Sequence, residues 1–371
     1  MLKKKLLIIL TVIACLIAAR GEANAAAWEP SKTWVFFACL VRWQDSKEFA
    51  SFPEDVRKDG VFLDSLRAKG VPNEHIVYLK DEQATLSSVT SKFNEFLKKP
   101  GPNDWVIVYF EGHGYKDDDG TPYLATYDVN DDRHITGWKM DAVPASIERN
   151  FRGNRAVIVL DNCYSGAMDD AVKKTRRRVS YAIFASSLAS QESTGNWTFT
   201  ESLISSFKGS PIADANHDGV VTFAEMGKHS EDDMLFGEEQ LATIDFTGDF
   251  DPQTVIAMAP KPAFQRLGEQ VEAYSVDGWY KGFLVDSKGG KFKVHYYGYE
   301  DSDDEWVPPA KIRKPKLVQY PIGRRVLVQW EKKWYPATVL DVKGSVHLIT
   351  YTGYGHEWDE WVSSDRIKIR K

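Results

Sequence analysis

Eight residues from Trp34 to Val41 form an unbroken apolar run, the pattern of a strand buried on both faces. Apolar positions then recur at helical spacing at Val56, Phe62, Leu63 and Leu66, and the pattern stops at Gly70 and Pro72. His75–Leu79 reads as a second strand and Leu86–Leu97 as a second helix. Trp105–Phe110 and Ala156–Leu160 are further apolar strands, with a helix near Val143–Asn150 between them. Val179–Ala185 and Thr254–Met258 bring the strands to six. Strands spaced by helices predict an α/β fold with a mostly parallel six-stranded sheet and helices on both faces. In such sheets ligand chemistry sits beyond the carboxyl ends of strands.

After a linker at 261–266 the pattern changes. Residues 267–314 align with 322–369 at a constant offset of 55 without a gap, and about fifteen of forty-eight positions are identical. Gly268 matches Gly323, Trp279-Tyr280 matches Trp334-Tyr335, and Asp304-Glu305-Trp306-Val307 matches Asp359-Glu360-Trp361-Val362. Alternation such as Val326-x-Val328-x-Trp330 predicts short half-buried strands, hence two small all-β barrels at 267–315 and 322–371.

The start of the chain has another character. Lys3-Lys4-Lys5, an apolar run to Ala19 and a small-residue Ala23-Asn24-Ala25 make a signal-peptide layout over residues 1–25. The mature chain is then exported, with no transmembrane segment. A lipid-anchored form is the lesser alternative, because the chain stays apolar after Cys15.

Composition sharpens this division. The net charge of −6 is the sum of +3 over residues 1–25, −12 over 26–261 and +3 over 262–371. With 43% hydrophobic residues the chain is not mainly disordered, and three cysteines exclude a disulfide scaffold. Cys39, inside an apolar run, is expected in the core. Six of the twelve tryptophans lie after residue 262.

Two strand ends carry reactive residues. Trp105–Phe110 leads into Glu111-Gly112-His113-Gly114, and Ala156–Leu160 into Asp161-Asn162-Cys163-Tyr164-Ser165-Gly166. If these strands are neighbours, His113 and Cys163 face each other across the sheet edge, and a thiol needs such a base to become a nucleophile. The N–H groups of Gly114 and Cys163 are candidate oxyanion donors.

The paired motifs, in that order, resemble the caspase/metacaspase-type cysteine peptidases, with legumain and the gingipains as more distant relatives. The resemblance covers residues 32–260. It implies a caspase-like fold and an endopeptidase acting on a protein or peptide substrate, with His113 as base and Cys163 as nucleophile. Glu111 departs from the pattern, standing where relatives often have serine. In metacaspases the position of Asp161 lines the first substrate pocket, so the resemblance implies cleavage after Arg or Lys; Asp45 or Asp55 could add a second acid. Asp161 could instead cap the following turn. A pseudoenzyme on the same fold, recognising a partner through its barrels, is the alternative reading. The basic run Lys173–Arg178 is either a self-processing site or a solvated loop.

Residues 214–225 match an EF-hand loop, with Asp214, Asn216, Asp218, the carbonyl of Val220, Thr222 and Glu225 as oxygen ligands and Gly219 at the turn. Calcium is therefore the expected metal, and no organic cofactor is implied. The C-terminal repeat resembles tudor-knot, chromo-barrel and agenet-like modules. Trp279, Tyr280, Tyr296, Tyr299 and Trp306 are cage candidates in the first barrel, and Trp334, Tyr335, Tyr351, Tyr354 and Trp361 in the second. Filling a fifty-residue barrel also demands large aromatics, so mainly core roles are expected for them. A balance of +3 is too small to point to nucleic acid; docking of a protein substrate or partner fits better.

Overall fold

The computed structural model describes residues 26–55, 57–130, 136–175 and 177–369. Residues 1–25, on which the signal-peptide expectation rests, Val56 of the expected helical pattern and Arg176 of the basic run lie outside the described residues. In chain order the elements begin with β1 (Thr33–Cys39), α1 (Asp59–Ala68), β2 (Ile76–Lys80), α2 (Leu86–Phe96) and β3 (Trp105–Glu111). A small three-stranded sheet follows, made of β4 (Gly114–Lys116), β5 (Pro122–Leu124) and β6 (Trp138–Lys139). Next come α3 (Ala142–Asn150), β7 (Arg155–Asp161), α4 (Ala167–Lys174), β8 (Ser180–Ala185), α5 (Thr198–Lys208), β9 (Val220–Thr222), α6 (Phe223–Gly237), β10 (Thr243–Thr247) and β11 (Val255–Met258).

The main sheet has the order β10-β8-β7-β3-β1-β2, and all its pairs are parallel except β10 with β8. Its sixth strand is thus Thr243–Thr247 and not Thr254–Met258, which pairs antiparallel with β9 away from the sheet. The alternating Thr-Ile-Asp-Phe-Thr is only half-buried, as suits an edge strand.

Alternate side chains of each central strand feed two cores. One face carries Phe36, Val108 and Ile158 against Phe93 of α2 and Ile147 of α3. The other carries Phe37, Tyr109 and Val159 against Phe62 of α1, Phe199 and Phe207 of α5 and Met226 of α6. Both faces exclude water, which explains the continuous apolar runs. Cys39 is fully buried on the second face, as expected.

The C-terminal barrels repeat one plan. The first contains β12 (Gln270–Ser275), β13 (Gly278–Lys288), β14 (Lys291–Tyr296), β15 (Glu305–Val307) and β16 (Ile312–Arg313). The second contains β17 (Arg325–Trp330), β18 (Lys333–Lys343), β19 (Val346–Tyr351), β20 (Glu360–Ser363) and β21 (Ile367–Ile369). Strand order is the same in both, and the register slips at Leu284/Asp286 and Val339/Asp341, again 55 residues apart. The barrels do not float free of the α/β part. Tyr297 Oη donates to Asp233 at 2.7 Å, Lys281 pairs with Glu239 at 2.8 Å, and Lys58 pairs with Glu300 at 2.6 Å. No helix among the described residues is long and apolar enough to cross a membrane.

Candidate active site

β3 and β7 are direct neighbours, with Glu111 opposite Asp161 in the register. The chain therefore leaves both strands at the same edge, and His113 and Cys163 line one cleft of about 120 Å³. Its walls also include Phe52, Glu111, Asp161, Asn162 and the stretch from Ser193 to Trp197. Gly114 lies just beyond the cleft wall. A β-carbon there would stand 2.1 Å from the carbonyl oxygen of Cys163, so only glycine lets the histidine loop approach the cysteine turn so closely.

The His113 ring is packed by Trp43, Phe52 and Phe49, with ring centroids 4.5, 4.6 and 5.3 Å away. Its Nε2 lies 2.8 Å from the carbonyl oxygen of Ala50. A carbonyl only accepts, so Nε2 carries the proton and Nδ1 is left as the basic nitrogen. Burial lowers the affinity of this imidazole for a second proton, and the Ala50 carbonyl partly offsets that. The Cys163 sulfur accepts from the Ser193 N–H at 3.2 Å. Burial pushes the thiol up from its ordinary value, with the Ser193 N–H acting in the opposite sense. Both shifts favour the neutral forms of the pair.

Asp161 ends β7 half-buried, accepting from Thr200 Oγ1 at 2.7 Å. Burial pushes its carboxyl up to about 6, opposed by the bonds from Thr200 and Ser186. Asp45 and Asp55 are not in this cleft. Asp45 accepts from the Lys47 N–H and from Asn130, and Asp55 is exposed. Glu111, the position that departs from the resembled family's pattern, lines the cleft instead.

The 214–225 loop closes on hydrogen bonds of its own. Asp214 accepts from the N–H groups of Asp218 at 3.2 Å and Gly219 at 3.0 Å. Asn216 accepts from Asp218, and Glu225 caps α6 through Thr222. Gly219 has a φ of +93°, the left-handed turn that the motif demands. These hard oxygens suit a calcium ion. The acids of the loop are nonetheless not among the carboxylate groups that converge within 4.8 Å.

In the barrels the aromatic assignment needs correction. Tyr335, Tyr351 and Tyr354 do form a cluster with centroids 6.1–6.4 Å apart, and Tyr280, Tyr296 and Tyr299 repeat it at 6.2–6.3 Å. The four tryptophans expected beside them lie elsewhere: Trp279 stacks under Arg313, Trp334 under Lys368 and Trp361 under Lys343, while Trp306 is exposed on β15. The second cluster is completed by Trp330, against Tyr335 and Trp358, and by Trp358, against Tyr354. The first barrel has Ser275 and Asp303 at those positions, so its cluster stays a triad. Nor are the aromatics mainly core. Only Tyr296 and Tyr351 are buried, and Val, Ala, Leu and Ile fill the barrels.

Comparison with known proteins bears on this C-terminal part. Residues 321–369 match the Tudor-knot family (RNA binding activity-knot of a chromodomain), and residues 268–317 match the Agenet domain family. No curated protein matches the chain. Among solved structures, protein GSU0716 of Geobacter sulfurreducens aligns over 62% of this chain and 100% of its own, at 14% identity and a TM-score of 0.42. The SAWADEE domain of Arabidopsis thaliana SHH1 aligns over 28% of this chain and 96% of its own, at 19% identity and a TM-score of 0.14. Tbtudor aligns over 15% of this chain and 100% of its own, at 15% identity and a TM-score of 0.14. Overlaps this weak carry no functional conclusion.

Proposed function

We propose that this protein is an exported cysteine endopeptidase of caspase-like fold, working through His113 and Cys163. The observation that carries the reading is their meeting in one cleft at adjacent parallel strand ends, with His113 Nε2 tied to Ala50 so that Nδ1 is the base. In the first step Nδ1 takes the thiol proton as sulfur adds to the scissile carbonyl. The resulting oxyanion is met by backbone N–H groups of the Gly114 and Cys163 turns. Collapse expels the amine, which receives the proton from His113, and water then hydrolyses the thioester.

Asp161 in the cleft supports a cationic residue at the cleaved position, Arg or Lys. The 214–225 loop supplies the oxygens for a calcium ion that would order the start of α6. The barrels dock the substrate or a partner protein. A thiol-directed label tests the central claim: it should modify Cys163 in the wild-type chain and fail in His113→Ala. Equal labelling of both, without cleavage of any Arg or Lys reporter, would point instead to a binding protein on a peptidase-like scaffold.

A further inference from the structure

Glu111 is the most unusual group in the cleft. It is only 5% exposed, it ends β3, and its register partners are Cys39 on β1 and Asp161 on β7. In a parallel pair, register partners project to the same face, and adjacent strands run about 4.8 Å apart. Two carboxyl groups therefore stand side by side in the cleft, and burial first, then Asp59 and Asp161, push the Glu111 carboxyl well above its ordinary value. Glu111 Oε1 is buried without a hydrogen-bond partner among the described residues. Oε2 has only the Tyr109 hydroxyl, at 3.4 Å.

The nearest cation, Arg57, acts on Glu111 through space in the opposite sense but spends its hydrogen bonds elsewhere. Arg57 is held by Asp59 at 2.7 Å and by Asp81 at 2.8 Å. Asp59, within 4.8 Å of Glu111 and Cys39, is also bonded to Tyr78 and to the Gly60 N–H. Asp59 is thus satisfied and Glu111 is not. A buried polar atom without a hydrogen-bond partner costs free energy unless something supplies one. Here the cleft wall that contains it also contains the reactive thiol.

Resting on the peptidase reading, we infer that Glu111 is a specificity-determining residue, which together with Asp161 receives the guanidinium of a substrate arginine in preference to a lysine ammonium. A guanidinium is planar with five donors and can bond two separate carboxyl groups at once. It is also more weakly hydrated than an ammonium, so it loses less on entering a dry pocket. Asp161 keeps one oxygen on Thr200 and is the less buried of the two, and Glu111 offers the unpartnered Oε1.

The test uses the full chain with matched peptide reporters ending in Arg or Lys. In Glu111→Gln, kcat/KM for the Arg reporter should fall at least about tenfold, the loss of one charge-assisted hydrogen bond, chiefly through KM. The Lys reporter should change less than about threefold, since an ammonium relies on Asp161 alone. Glu111→Asp should retain part of the Arg preference. Should Glu111→Gln not fold, competition on wild type decides: butylguanidine must inhibit at least about tenfold more tightly than butylamine. An active Glu111→Gln with the wild-type Arg/Lys ratio, or equal inhibition by butylguanidine and butylamine where that variant does not fold, overturns this inference alone. A wild-type chain that cleaves neither reporter overturns the peptidase reading and this one with it.

Discussion

Replacing Gly114 by alanine tests how the site is assembled. The added β-carbon would sit 2.1 Å from the Cys163 carbonyl oxygen and 2.2 Å from Asn162 Nδ2, where ordinary contact begins at 3.4 Å. The Asn162 amide is a side chain and can swing aside; the carbonyl belongs to the turn that carries Cys163. The two turns must therefore part by roughly 1 Å, a displacement on the scale that costs about 100-fold in rate when it separates reacting groups. Overpacking of this kind should also cost about 1–3 kcal/mol of stability. We expect kcat to fall about 100-fold, the signature of a loss felt in the chemical step. The assay is steady-state cleavage of an Arg reporter, with a melting curve to show that the chain is folded. A Gly114→Ala chain with wild-type kcat would refute the claim that this contact sets the distance between His113 and Cys163.

Four further outcomes are expected. Asp161 is raised from 3.8 to about 6, so its ionised form opposes folding: its cost is absent below pH 3.8 and grows to full size above pH 6. Asp161→Asn should therefore leave the melting temperature unchanged near pH 3.5 but raise it at pH 8, by roughly 2 kcal/mol in stability after discounting for partial exposure; a constant difference across pH counts against the buried carboxylate. Calcium at about 100 times its Kd should stabilise the chain by about 2.7 kcal/mol in a thermal melt, and Glu225→Gln should abolish the effect. Tetramethylammonium should quench tryptophan fluorescence in the wild-type chain and not in Trp358→Ala, if the five-ring cluster of the second barrel accepts a cation. Intact mass should show a cut within residues 173–178 in wild type and none in Cys163→Ala, if the basic run is self-processed; equal masses dismiss it.

The reactive strand ends were legible because physics marks them twice. A strand buried on both faces writes a continuous apolar run, and its abrupt end in Glu111-Gly112-His113 or Asp161-Asn162-Cys163 locates the sheet's carboxyl edge. Partnership between strands is not written that way. Thr254–Met258 is as apolar as a sheet strand yet pairs with β9, while the half-buried Thr243–Thr247 takes the edge. The repeat misled in a similar manner. Identity at an offset of 55 drew attention to Trp334 and Trp361, whereas Trp330 and Trp358, where the two copies differ, complete the aromatic cluster. The missed signal was divergence within a repeat. Glu111 was visible as a departure, but its role depends on a register that no single strand encodes.

The stretch from Ser193 to Trp197 that forms one cleft wall is not anchored by the α/β part alone. Gln191 Nε2 donates to the Trp361 carbonyl at 2.6 Å, while the Gln191 carbonyl receives the N–H of Tyr164, next to Cys163. Glu239, one residue from the Gln240 that grips Ser186, Ser193 and Thr194, holds Ser364 of the second barrel. The last barrel is thus mechanically in series with the cysteine. A load applied to it, by a captured partner or a tether, is delivered through two residues to the wall that cradles the thiol. Cutting the chain between the barrels would remove a support from the wall beside Cys163.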